Sequence, residues 1–264
     1  MSYAAVVLAG ERPGGSDFAR ALGLPAGVLA TVAGKPALQR VIEALAEVDE
    51  ITGGVVCGPG AEVWSARPDL ARRASDAGFE WMPPEAGPSA SALAGVRRVD
   101  SWPVLVTAGD HALLTPSIVE DFCRQALRRA TVAGADVVAG LAPFAAVREA
   151  FPDTRRTVHN YRDGAWCGTN LFAVLTPQGL GALRFWQSVE AWRKRPWKIA
   201  AALGTGFLLR YLLRRLTLDE ALQRLSTVCG CRVAHVVVSQ PRAAVDVDSL
   251  ADLELAEEVL RGSA

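Results

Sequence analysis

Apolar residues along this chain fall into short unbroken runs that alternate with stretches at helical spacing. Residues 3–9, YAAVVLA, form one run closed by a Gly/Pro-rich stretch, which predicts a buried strand entering a loop. Helical spacing follows over 36–45, with Pro36 suited to a first helical position. Residues 54–57 and 79–82 read as further strands, separated by a charged helical stretch over 61–77. A helix over 89–99, a buried strand over 103–108, a helix over 116–129 and a strand over 135–141 complete the alternation. Such alternation predicts a mostly parallel sheet covered on both faces, with ligands at the carboxyl ends of the strands.

Beyond residue 150 the pattern changes. RRTVHNY and NLFAVL, separated by Asp163-Gly164, read as a strand pair crossing the site. Residues 177–228 are nearly all helical in pattern, with breaks at Pro196 and near Gly204 to Gly206. A late strand over 232–238 precedes Ala244 to Asp248 and a final helix from about Ser249 to Arg261. No repeat or interdomain linker interrupts the chain, so residues 1–264 are expected to form one domain with a helical insertion near 177–228.

Composition narrows the partners. Half of the 264 residues are hydrophobic, which excludes a disordered chain. Twenty-eight basic residues balance 28 acidic ones, so no global basic field exists for nucleic acid, and none is expected as a partner. The five cysteines, at 57, 123, 167, 229 and 231, form no disulfide framework and read as reduced, buried thiols. The amino terminus lacks a basic start and its apolar stretch is too short for a signal peptide. The longest uncharged apolar stretch, Ile199 to Leu209, falls short of the roughly 20 residues a membrane helix needs. A cytoplasmic location is expected.

Candidate chemistry sits at two predicted strand ends and in three other places. LAGERPGG, residues 8–15, carries three glycines and a proline after the first strand, with Arg12 and Arg20 nearby. Backbone amides plus fixed cations are what a triphosphate needs; a surface loop is the alternative. Asp110, in VLVTAGDHALLTP, follows a buried strand and is placed to bind Mg²⁺ over phosphates, or to cap a turn. Asp246 and Asp248 alternate with apolar residues in AAVDVDSLADLELAEEVL, which puts both carboxylates on one face. Ser249 and Asp252 have capping-box spacing, so Asp248 reads as a cap and Asp246 as the better metal candidate. Gly168 and Asn170 can hydrogen-bond a polyol hydroxyl, and Arg155 and Arg156 can meet a phosphate on a second substrate.

The fifth place is residues 183–216, with eight basic residues, one acidic residue (Glu190) and Trp186, Trp192 and Trp197. Its net charge is about +7, leaving about −7 for the rest of a neutral chain. A solvated helical subdomain, a phosphate-rich pocket and a patch resting on anionic membrane are the competing readings.

In this order, the pieces resemble the MobA-like nucleotidyltransferases, which include molybdenum-cofactor and, more distantly, sugar-phosphate nucleotidyltransferases. LAGERPGG is similar to the signature loop and VAGKPALQRVIEAL to the segment after it. Pro88-Ser89-Ala90-Ser91 is similar to the nucleotide-contacting helix start, TAGDHALLTP to the Mg²⁺ aspartate motif and VDVDSLADLELA to the second-aspartate motif. The resemblance implies a three-layer α/β/α, Rossmann-like (GT-A-like) fold. It implies attack of an acceptor phosphate oxygen on the α-phosphorus of an NTP, with loss of pyrophosphate. Asp110 and Asp246 would hold Mg²⁺, and Arg12 with Leu8, Ala9, Gly10, Glu11, Gly14, Gly15 and Lys35 would hold the triphosphate. Ser89 and Ser91 would contact the nucleotide, and Gly168 and Asn170 match the acceptor strand. Two positions depart from the pattern: Gly27 stands where many relatives have a phosphate lysine, and Glu11 where they have a second glycine.

The expected function is transfer of NMP from an NTP, CTP by analogy, to a phosphorylated polyol, cyclitol or sugar. A glycosyltransferase using an NDP-sugar and a catalytically degenerate nucleotide-binding member are the alternatives.

Overall fold

A computed structural model describes residues 1–12 and 14–262; Pro13 of the glycine-rich loop, Ser263 and Ala264 lie outside the described residues, as does the side chain of Pro196. In chain order, β1 (Tyr3–Leu8), the short helix α1 (Asp17–Ala21) and a ribbon of β2 (Thr31–Val32) and β3 (Lys35–Pro36) lead into α2 (Ala37–Ala46). Then come β4 (Ile51–Cys57), α3 (Ala61–Ser65), α4 (Pro68–Asp76), β5 (Phe79–Met82), α5 (Pro88–Val99) and β6 (Val104–Ala108). α6 (Pro116–Ala133), β7 (Val137–Pro143), α7 (Phe144–Ala150), β8 (Val158–Tyr161) and β9 (Gly164–Val174) follow. The carboxyl-terminal part adds α8 (Leu180–Trp192), α9 (Pro196–Leu203), α10 (Thr205–Leu212), α11 (Leu218–Cys229), β10 (Val233–Val237) and α12 (Leu250–Arg261).

Eight strands form one α/β sheet in the order β10-β7-β9-β6-β1-β4-β5, with β8 on β9. Every neighbour pair is parallel except those made by β9, which runs against β6, β7 and β8. The apolar runs are continuous because both sheet faces are covered. Ala5 and Val7 of β1 share a core with Leu38, Ile42 and Leu45 of α2 and Phe122 of α6. Val6, between them, joins Ala92 and Val96 of α5 and Leu183 of α8. These are the three layers that the alternation predicts. Gly54 lets β4 approach β1: a side chain there would run into the Ala5 backbone.

Two expectations are corrected in detail. The helix over 61–77 is two helices, because Pro68 begins a new one at its first position, where a missing N–H costs nothing. The strand pair after 150 is a tight hairpin whose second strand continues through the middle of the sheet, between β6 and β7.

A separate small core lies beneath the carboxyl ends of the strands. It joins Phe18 of α1, Val32 and Ala37, Leu113, Val147, Val245, Val247 and Ala256. That core anchors the loop after β1, the loop after β6 and the tail before α12 to one another.

Candidate active site

The loop after β1 is built by its glycines. Gly14 and Gly15 both have positive φ (86° and 74°), which L side chains resist, and the Gly15 N–H closes a turn on the Arg12 carbonyl at 2.9 Å. Arg20 donates to the Gly14 and Gly15 carbonyls at 2.7 and 3.0 Å and pairs with Asp17. The guanidinium of Arg20 thus braces the loop from below, while Arg12 is exposed. Glu11 does not open toward solvent. Its carboxylate accepts the Arg12 N–H at 3.0 Å, the Ser16 hydroxyl at 3.4 Å and the Gly27 N–H at 2.7 Å. The two departures from the family pattern, Glu11 and Gly27, are therefore hydrogen-bonded to each other.

Asp110 follows β6 in the same layer as the loop, since the Gly109 N–H bonds the Leu8 carbonyl at 2.8 Å. The tail returns to it: the Val247 N–H bonds the Asp110 carbonyl at 3.1 Å. Val245 and Val247 are buried, so Asp246 and Asp248 share the opposite face, as alternation predicts. Burial, then the charges of Asp248 and Asp246, push the Asp110 carboxyl well above the usual carboxylate range. Its Oδ1 is buried without a hydrogen-bond partner among the described residues. Asp248 is exposed, with its carboxyl partly desolvated by the protein around it. That desolvation, with Asp246 and Asp252, raises its pKa, and Arg12 and Arg156 oppose the rise. The loop cation Arg12 is thus within electrostatic reach of the acidic group. An orphaned carboxylate oxygen among repelling acids is the environment a divalent cation relieves. Among the described residues no three His, Cys, Asp or Glu side chains form a metal cage by themselves. A hard cation that keeps open positions for phosphate oxygens needs only one or two protein carboxylates.

His111, beside Asp110, is fully buried, and neither ring nitrogen has a hydrogen-bond partner among the described residues. Burial lowers its pKa to about 4. It is a packed, neutral loop residue.

Arg156, expected to face a phosphate, is committed to protein carboxylates. Its side chain is 7% exposed and pairs with both Asp246 and Asp252. Its Nε donates to the Thr154 hydroxyl at 2.9 Å. Asn170 adopts φ +52° on β9, opposite a register shift in β7 between Ala139 and Leu141. Its amide donates to Asp246 Oδ2 at 3.2 Å. Both oxygens of Asp246 are therefore engaged, by Arg156 and Asn170. Asp248 has no such partner among the described residues. Asp248 and Asp252 were legible in the sequence only as cap residues; Thr154 carried no signal.

Other expected contacts are dispersed. Arg155 is exposed just before β8, and Gly168 is exposed on β9. Lys35 pairs with Glu43 of α2 at 2.6 Å. Ser91 accepts the Glu85 N–H at 2.9 Å, and Ser89, at the start of α5, donates its N–H at 3.2 Å and its hydroxyl to Glu190 of α8. The helical segment thus reaches the helix start through its one acidic residue.

Comparison with known proteins places these features in a lineage. A family model for the MobA-like NTP transferase domain matches residues 5–170. No curated protein matches the chain. A hypothetical transferase structure from Thermus thermophilus has a TM-score of 0.79 at 29% identity, covering 96% of this chain and all of its own. The synthetase of CMP:2-keto-3-deoxy-manno-octonic acid, complexed with CTP, has a TM-score of 0.58 at 16% identity, with both chains fully covered. The 4-diphosphocytidyl-2C-methyl-D-erythritol synthase of Anaerococcus prevotii DSM 20548 has a TM-score of 0.62 at 12% identity, covering 98% of this chain and 99% of its own. The last two likenesses are of fold. The family match runs from β1 through the loop, α5 and Asp110 to Asn170, and by it the chain belongs to the MobA-like NTP transferase family.

Proposed function

We propose that the protein transfers a nucleotidyl group from an NTP to a phosphorylated small molecule, a polyol, cyclitol or sugar phosphate, in one domain spanning 1–264. An acceptor phosphate oxygen attacks the α-phosphorus, the bond from that phosphorus to the bridging oxygen breaks, and pyrophosphate leaves with the electron pair. CTP is placed first, supported by the cytidine chemistry in the names of two fold relatives.

The observation that carries this reading is Asp110, with its orphaned buried oxygen at the end of β6 beside the glycine-rich loop. We assign Mg²⁺ to Asp110 and Asp248, because Asp246 is already held by Arg156 and Asn170. Bound there, the metal would neutralise charge on the phosphates and on the departing pyrophosphate. Arg12 and the loop amides hold the triphosphate. Asp246, fixed by two donors, keeps the tail in register so that Asp248 faces Asp110. Arg155 and Gly168 line the acceptor side. These are positioning and electrostatic roles, and the chemistry demands no side-chain nucleophile.

The test is thermal-shift titration with CTP, GTP, UTP and ATP plus Mg²⁺, followed by pyrophosphate release with a panel of phosphorylated acceptors. A ligand at 100 times its Kd adds about 2.7 kcal/mol of stability. One NTP is expected to stabilise wild type, with the Mg²⁺-dependent part lost in Asp110→Asn and Asp248→Asn. Stabilisation by an NDP-sugar alone would replace the reading with glycosyl transfer. NTP binding with no turnover of any acceptor would favour the degenerate member, with the Glu11–Gly27 contact in place of a phosphate lysine.

A further inference from the structure

The basic segment 183–216 is only partly absorbed by the site. α8 joins the core through Leu183, and Glu190 turns inward onto Ser89. α9 and α10 do not follow: none of their described residues is buried. α10 touches the sheet through Tyr211, whose ring meets Tyr161 of β8 edge-on at 5.7 Å. The opposite side of α10 is exposed among the described residues. Leu209 is 58% exposed, Leu212 75% and Leu213 52%. Their spacing of three and four residues puts them on one face. Trp197, in the first turn of α9, is 63% exposed.

Charge decides what fits this face. Arg193, Lys194 and Arg195 are exposed just before α9, and Arg214 and Arg215 just after α10. None of the five forms a salt bridge among the described residues. With Glu190 turned inward, the segment presents leucines and a tryptophan between two basic clusters, with no acidic residue of its own beside them. A short apolar helix rimmed by cations matches the interface of a bilayer with anionic headgroups: leucines enter the acyl boundary, tryptophan sits at headgroup level and the cations meet phosphates. No helix among the described residues is long and apolar enough to cross a membrane.

We propose that α9 and α10 dock this protein on the surface of an anionic lipid bilayer through Leu209, Leu212, Leu213 and Trp197. The test is co-sedimentation of the full chain with vesicles of about one-third phosphatidylglycerol in phosphatidylcholine, against pure phosphatidylcholine. Partition is expected onto the anionic vesicles alone, weakening roughly tenfold between about 0.05 and 0.5 M NaCl. The double variant Leu209→Ser/Leu212→Ser should keep its melting temperature and lose roughly tenfold in partition. A blue shift of tryptophan emission on the vesicles should shrink in Trp197→Phe. Absence of partition at low salt, equal partition onto both vesicle types, or wild-type partition by a folded double variant would overturn the proposal. So would sedimentation equilibrium in which wild type is a dimer and the double variant a monomer, since a second copy would then cover the face.

Discussion

Asp110 and His111 are neighbours that burial drives in opposite directions, both toward neutrality. The His111 imidazole titrates near 4 in the fold against about 6.5 in the unfolded chain. Below pH 6.5 the unfolded state takes up a proton that the folded state refuses. His111 therefore contributes stability that is complete above about 6.5 and is lost as pH falls toward 4, about 3 kcal/mol in all. Asp110 has the reverse sign: its raised carboxyl destabilises the metal-free fold as pH rises above the ordinary carboxylate range. Urea midpoints between pH 4 and 7 should therefore fall less toward acid in His111→Leu than in wild type. Because neither ring nitrogen has a hydrogen-bond partner among the described residues, that variant should lose little stability at pH 7. An unchanged acid slope would mean the imidazole is solvated. From sequence, Asp110 stood out by its place after a buried strand. Asp248 did not, because its place just before the Ser249 helix start reads as a cap. Arg156 and Asn170, 90 and 76 residues from Asp246, are what hold it and leave Asp248 without such donors among the described residues.

At the scale of elements, β9 sets the geometry around Asp246. It is the one strand antiparallel to the parallel set, and its bulge turns Asn170 into a left-handed conformation that Asn tolerates and β-branched residues do not. Asn170→Gly should keep the fold, since glycine prefers that backbone, while freeing Asp246 Oδ2. Asn170→Val should cost about 1–2 kcal/mol more than Asn170→Gly in chemical denaturation. Equal costs would mean the positive φ carries no strain. The parallel strands were legible because two covered faces leave unbroken apolar runs. The central course of β9 was not legible: its apolar residues look the same beside either neighbour, and the hairpin at Asp163-Gly164 fixes only the pairing with β8. The break at Pro68 was available in the sequence and was masked by the charged helical spacing around it.

Over the whole molecule, stability is distributed unevenly. The two faces of the sheet and the small core under the site contain most of the buried apolar residues, and α9 and α10 lie outside all three clusters. Native-state hydrogen exchange should therefore be fastest, among helices of eight residues or more, in α9 and α10, and slow in α5 and α6. Protection of α9 and α10 equal to that of α5 would mean the segment shares the cooperative core. Charge is distributed as unevenly as packing: about +7 over 183–216 against about −7 elsewhere, which a balanced total conceals.

The return of the tail to Asp110 also has a consequence in time. A ribosome delivers the loop, α5 and Asp110 early, and Asp246, Asp248 and Asp252 only with the final stretch before α12. The Val247–Asp110 bond and the Arg156 pairs cannot form until that stretch has emerged. A nascent chain that has already threaded β9 between β6 and β7 would still lack three of the four carboxylates of its acidic group. The acidic group is thus completed by residues made long after Asp110, and order of synthesis sets the order in which the Val247–Asp110 bond and the Arg156 pairs can form.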